Sequence, residues 1–136
     1  MARRAASRSA DAVRYWGPVV LYMGLIFWAS SQPRIALPLP TSDYVLHGAG
    51  YAVLAVLSVR ALASSAFRGL TIAQVAGGIA IAAVYGLTDE WHQLHVPGRD
   101  ASLLDALADF VGASLGGSVL MAFSALSLRR GDPRWL

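Results

Sequence analysis

Cysteine and lysine are both absent from this 136-residue chain, and each absence closes something off. Without cysteine there is no disulfide framework and no thiolate metal site. Without lysine, all eleven basic residues are arginine, which reads as bias toward GC-rich bacterial codons rather than as chemistry. Charge of either sign is scarce: 14% of residues, against about 25% in a soluble domain. With 56% hydrophobic residues and a mean hydropathy of +0.52, the chain has too little charge to cover a water-facing surface. The net charge of +3 raises nucleic acid as a partner. The arginines stand at the ends of apolar runs and make no stripe along a polar face, so no nucleic-acid partner is expected. The length suits one domain.

What is present in quantity is apolar sequence, in four runs. A bilayer core needs roughly 20 mostly apolar residues as helix. Residues 13–31, 43–62, 71–91 and 103–128 each qualify, with Pro18 tolerable near the start of the first. The basic front of that first run resembles a signal peptide. No small-x-small cleavage site follows, and Trp16 and Trp28 flank the run at interface depth, so a retained helix is expected. Arginine placement sets the orientation. Arg3, Arg4, Arg8 and Arg14 precede the first span, Arg60 and Arg68 bracket the middle link, and Arg129, Arg130 and Arg134 follow the fourth. Only Arg34 and Arg99 fall in the other two links. The expected fold is an all-α membrane protein, a bundle of four transmembrane helices with both termini cytoplasmic. It divides into a basic segment at 1–12, the four-span domain at 13–128 and a tail at 129–136.

The scarce charges are not spread evenly. LTDEWHQLHVPGRD, residues 87–100, holds three acids, two histidines, a glutamine and an arginine between two apolar runs. Asp43, Asp89, Glu90, Asp100, Asp105 and Asp109 all fall at the outer end, with every histidine; only Asp11 and Asp132 fall inside. At about 100° per residue, Asp43, His47 and Tyr51 share one face of the second span. Asp89 and Gln93 share a face of the third with Gly86, Ala82 and Gly78 beneath them. Asp105, Asp109, Gly112 and Gly116 share a face of the fourth, and Gly112–Gly116 is a GxxxG pair that lets backbones approach. Small residues below draw the helices together, so the acids above should meet.

Several of these residues also have plain structural readings. Ser102 followed by Asp105 is a capping-box-like start, and Asp43 after Thr41 and Ser42 sits where the helix dipole favours an anion. Pro97-Gly98 is an ordinary turn, and a lone Tyr51 or Trp91 packs or anchors at the interface in most helices of this kind. Asp89 and Glu90 are harder to account for, because they end a helix, where negative charge is disfavoured. Their expected compensation is Arg99 across the turn, His92 and His95, or a bound cation or ligand. Asp109, a turn inside its helix, is an interior acid and a functional candidate by default.

These residues, taken together, resemble the VanZ-like family of bacterial membrane proteins. The resemblance rests on Asp89-Glu90, then Gln93, then Pro97-Gly98-Arg99, then Asp105, Asp109, Gly112 and Gly116. Asp43, His47 and Tyr51 match an upstream element, and Ser30-Ser31-Gln32 matches the Ser-Ser-Gln after the family's first helix. It covers about residues 20–118. Tyr44 stands where the family often has lysine, and Asp109 where it often has asparagine, which adds a carboxylate to the site and favours a cation. The namesake is associated with low-level teicoplanin resistance through lowered antibiotic binding at the cell surface. The resemblance therefore implies the bacterial plasma (inner) membrane and the cell envelope rather than a reaction.

Four readings stay open. The first is an outward ligand-binding pocket of Asp43, His47, Tyr51, Asp89, Glu90, Gln93, Arg99, Asp105 and Asp109. Its partner would be a membrane lipid, a lipid-linked wall component or a glycopeptide, with Arg99 forking onto phosphate. The second is a metal-dependent hydrolase of a phosphate or ester bond, with Asp89, Glu90 and His92 as candidate ligands beside His47, Asp105 or Asp109. No HExxH is present, and no cofactor is assigned. The third is a small carrier, although the inner halves of the spans are nearly featureless, with Gln74 and Ser58 as exceptions. The fourth is a homo-oligomer or partner subunit joined through Gly77-Gly78 or Gly116-Gly117.

Overall fold

The computed structural model describes residues 2–33, 43–64, 67 and 69–129, with side chains outside 2–9, 43 and 129. Among the described residues it is helical throughout: α1 (Ala2–Ser30), α2 (Asp43–Ala63), α3 (Ile72–Gln93) and α4 (Leu103–Arg129). Each contains a stretch long and apolar enough to cross a membrane: Ala10–Ser30, Tyr44–Ala63, Ile72–Gln93 and Leu103–Leu128. Residues 34–42, which hold Arg34, Pro38, Pro40, Thr41 and Ser42, lie outside the described residues, as do Arg68, Arg130, Asp132 and Arg134.

Exposure runs opposite to that of a water-soluble protein. Leu103 is 79% exposed while Asp109 is 1% exposed, and Leu21, Leu87, Phe110 and Val119 all face outward. Each large apolar side chain left in water forgoes about 1.5–3 kcal/mol of burial, so an aqueous home for this surface is ruled out by many side chains at once. Lipid around the bundle removes the penalty. This is a multi-pass membrane protein.

The core is three helices, α2, α3 and α4, packed against one another around Leu54, Ala55, Ala82 and Ala113. Small residues decide how closely they pack. A Cβ at Gly116 would come within 2.6 Å of the Ala52 carbonyl oxygen, and one at Gly112 would run into the backbone of Gly48. The α2–α4 crossing is therefore backbone against backbone, as the GxxxG spacing anticipates. α1 lies against α2, touches α3 little and, among the described residues, does not reach α4.

Helix ends are closed locally. Thr71 and Gln74 form a reciprocal capping box at the start of α3, and Ser102 Oγ accepts from the Asp105 N–H at the start of α4. The first helix begins eleven residues earlier than its apolar run, at Ala2 rather than 13, so Pro18 falls in mid-helix and not in the first turn. Proline there removes the N–H that would bond the Arg14 carbonyl. Arg60 Nη1 donates to that carbonyl at 3.4 Å, and both arginines lie over the Tyr15 ring. A neighbouring helix thus takes up the backbone group that proline frees, which is how membrane helices tolerate it.

Candidate functional site

The acids do meet, at the end of the bundle where α3 turns into α4. Asp89, Glu90, Asp105 and Asp109 are all buried there, with Tyr51 and Gln93. Space for them comes from the small residues beneath. A Cβ at Gly86 would lie 2.9 Å from Asp109 Oδ2 and 3.3 Å from the Tyr51 ring, so the missing side chain is the room in which Asp109 and Tyr51 sit.

Each carboxylate has a different set of partners. Asp89 is satisfied on both oxygens: Ser30 Oγ donates to Oδ1 at 2.6 Å and Gln93 Nε2 donates to Oδ2 at 3.0 Å. Glu90 Oε2 accepts the backbone N–H of Ser102 at 2.7 Å. That contact explains an acid at the unfavourable end of α3, because the same carboxylate stands at the N-terminus of α4, where the dipole favours it. It also alters the expected capping box. The bond to the N-cap N–H comes from Glu90, on another helix, and Asp105 is left to turn inward. Asp109 Oδ1 pairs with His47 Nδ1 at 3.1 Å.

Four polar atoms here have no partner: Tyr51 Oη, Glu90 Oε1, Asp105 Oδ1 and Asp109 Oδ2. His47, Glu90 and Asp109 each present a ligand atom within 4.8 Å of the other two. Asp105 lines the same cavity as His47. His47, Glu90 and Asp109 come one each from α2, α3 and α4.

A cavity of about 400 Å³ opens beside this cluster, between α1 and the core. His47, Tyr51, Asp89, Gln93 and Asp105 make its polar side. Ile26, Trp28 and Leu46 make an apolar side, with Arg99 and Asp100 at the rim. Glu90 and Asp109 stand behind this lining, Asp109 in contact with His47.

Three expectations drawn from the sequence do not hold in this geometry. Arg99 does not neutralise the acids: its Nε donates to the Gln32 carbonyl at 3.0 Å and its Nη2 to the Ala29 carbonyl at 3.2 Å. Those carbonyls lie at and just past the end of α1, that of Ala29 also accepting the Gln32 N–H, and a guanidinium suits them as well as it suits a carboxylate. Two of its five donors are thereby engaged, so it is a clamp on α1 before it is a phosphate fork. His92 is not beside Glu90's free oxygen. It bonds Ser31 Oγ at 2.9 Å and its ring lies 4.4 Å from that of Phe27, while His95 is exposed and bonds its own helix at the Trp91 carbonyl. Asp89 is no free metal ligand, since both its oxygens are engaged. Asp43 opens α2, but its side chain lies outside the described residues. Trp91 is exposed, as an interface residue should be.

The residues that the acidic cluster itself did not reveal are on α1 and α3. Ser30, Ser31 and the Gln32 carbonyl tie α1 to Asp89, His92 and Arg99, and Tyr85 Oη donates to the Met23 carbonyl at 2.7 Å. The Ser-Ser-Gln run was their signal; Tyr85 had none. Ser124 and Ser127, buried lower in the bundle, bond backbone groups of Leu70 and Phe123. Compared with models of protein families, with curated proteins and with solved structures, the chain matches none of them.

Proposed function

We propose that this chain is a VanZ-like protein of the bacterial plasma membrane that binds the polar head of an amphiphilic envelope molecule at the outer surface. The observation that carries this reading is the cavity beside the acidic cluster. It joins a polar side of His47, Tyr51, Asp89, Gln93 and Asp105 to an apolar side of Ile26, Trp28 and Leu46. Ligand sites combine these two characters, a mostly apolar wall with a few convergent polar groups. In a membrane protein, an opening between a peripheral helix and the core admits a molecule from the lipid phase. α1 is that helix, held at its outer end by Ser30, Ser31 and Arg99. Arginine distribution supports the orientation, with both termini cytoplasmic and the cavity outward.

Binding is read directly by native mass spectrometry of the detergent-purified protein offered a polyprenyl phosphate or phosphatidylcholine. Wild type should retain the polyprenyl phosphate. Gly50→Leu, which fills the cavity from α2, should lose it. Equal retention of both lipids by both proteins would sink the reading. The antibiotic part has its own test: a sensitive host with and without the wild-type protein should differ in teicoplanin sensitivity, and Arg99→Ala should narrow the difference. No difference removes the resistance role.

A second reading, a metal-dependent hydrolase of a phosphate or ester bond, draws on the His47–Glu90–Asp109 grouping. Binding is placed first because the apolar wall of Ile26, Trp28 and Leu46 suits an amphiphile, whereas hydrolysis draws on the polar cluster alone. A carrier finds less support, since of the buried serines lower in the bundle Ser124 and Ser127 are engaged with backbone groups and only Ser58 is not.

A further inference from the structure

We infer that His47, Glu90 and Asp109 hold one divalent cation, which ties α2, α3 and α4 together beneath the cavity. Two independent observations converge on this. The first is geometry: one ligand atom from each residue lies within 4.8 Å of the others, near enough that small inward shifts of the side chains bring all three to the about 2.0–2.2 Å a single ion needs. The second is what the protein leaves undone around that point. Glu90 Oε1, Asp109 Oδ2 and Asp105 Oδ1 have no partner, on residues 7%, 1% and 8% exposed. Buried carboxylate oxygens without donors are strongly unfavourable, and a cation satisfies several at once.

The charges near the site point the same way. Four carboxylates are buried at this end of the bundle, and the His47 imidazole is the one basic side chain, among the described residues, that pairs with any of them. Arg99 has been turned to α1. Asp89 needs nothing more, because Ser30 and Gln93 already serve both its oxygens. The unmet demand is therefore confined to the residues around His47. Carboxylate oxygens with one imidazole suit Mn²⁺ or Zn²⁺ better than a soft ion. Three protein ligands, with Asp105 alongside, leave a coordination position open.

The ion also bears on what the cavity takes. Without it, the cavity wall presents carboxylates and would repel a phosphate. With it, two of the four buried acid charges are balanced, and an open coordination position offers a phosphate oxygen a positive centre. This consequence, which rests on the amphiphile-binding reading, assigns the head group to the phosphate class.

The experiment uses the full chain in detergent, with a tag that contains no histidine. Metal content is measured by elemental mass spectrometry. Thermal unfolding is then followed after chelation and after addition of Mn²⁺, Zn²⁺ or Mg²⁺ alone. Wild type should carry close to one equivalent, lose thermal stability on chelation and regain it with Mn²⁺ or Zn²⁺. Glu90→Gln and Asp109→Asn should weaken that response by at least about tenfold, while Asp89→Asn should leave it intact. Should Asp109→Asn fail to fold, Glu90→Gln keeps the test alive, since its amide oxygen still accepts the Ser102 N–H. Wild type with no metal and no thermal response in excess ion overturns the site. So does a response equal in all variants, which marks an adventitious ion. Polyprenyl phosphate retention is scored in parallel. Retention that never depends on metal overturns the ion's part in head-group binding; retention without any bound metal overturns the site and leaves the amphiphile reading standing.

Discussion

Replacing Gly116 by alanine tests whether the site is held by the α2–α4 crossing. The added Cβ would stand 2.6 Å from the Ala52 carbonyl oxygen and 3.0 Å from its Cα. An unstrained carbon–oxygen contact is about 3.3–3.6 Å, so the helices must part by roughly 0.7–1.0 Å. The obstacle is backbone on both sides, so no side chain can rotate away. A gap of that size forfeits about a quarter to a half of each contact along the crossing, and overpacking of this kind costs about 1–3 kcal/mol. Against it stands the better helix propensity of alanine, about 0.8–1 kcal/mol. The net loss should be about 0–2 kcal/mol against wild type, and about 1–3 kcal/mol, with Tm lower on the order of 5 °C, against a glycine-to-alanine change that meets no obstacle. Gly24→Ala is the control, since nothing lies within 4 Å of a Cβ there. It should hold or raise Tm. Gly112→Ala should be worse than Gly116→Ala, because its Cβ meets the Gly48 backbone directly. Thermal unfolding in one detergent compares all four proteins. A Gly116→Ala protein as stable as Gly24→Ala would refute the backbone-on-backbone crossing.

The links that fasten α1 give two further tests. Ser30→Ala removes the donor to Asp89 Oδ1 and leaves a buried carboxylate oxygen unserved, which should cost about 1–3 kcal/mol in reversible unfolding; no change would mean that water replaces the hydroxyl. Arg99→Ala frees the Ala29 and Gln32 carbonyls, so hydrogen exchange should speed up at the end of α1 while α2–α4 keep their protection. Uniform exchange in both proteins would show that the clamp is idle. Because the chain has no cysteine, Ala101→Cys and Ala12→Cys report orientation without background. A membrane-impermeant thiol reagent should label intact cells at position 101 and reach position 12 only after permeabilisation; the reverse pattern would invert the topology.

The fold was legible because the bilayer imposes a simple length rule and because faces follow from helical period. Gly78, Ala82, Gly86, Asp89 and Gln93 were placed on one face by spacing alone, and all five are buried. The same arithmetic put Asp105 and Asp109 on one face of α4, and both are buried. Helix extent was less legible. The start of α1 at Ala2 has no hydropathy signal, because its first turns are arginine-rich and owe nothing to the apolar pattern. Pairing was the least legible of all. Sequence proximity put Arg99 beside Asp89 and Glu90, yet distance in space is set by how α1 docks, and nothing in the periodicity of α3 or α4 encodes that.

Glu90 shows why charge counting alone misreads such a site. Taken as a residue of α3, it is an acid at the wrong end of a dipole and calls for a basic partner. Taken with α4, its Oε2 is the cap that receives the Ser102 N–H, and the two opposed dipoles meet at one carboxylate. The turn between α3 and α4 brings them together, with Gly98 at φ +78° supplying the left-handed step that other residues resist. One oxygen of Glu90 is thus consumed by the fold, and the other is held in a fixed direction with no partner. A side chain immobilised by its structural contact is a better ligand than a free one, because its geometry is set before anything binds. The same holds for Asp109, anchored through Oδ1 to His47 with Oδ2 left over in the space that Gly86 provides. For Glu90 and Asp109 the structural and the chemical readings do not compete, since each divides its two oxygens between them.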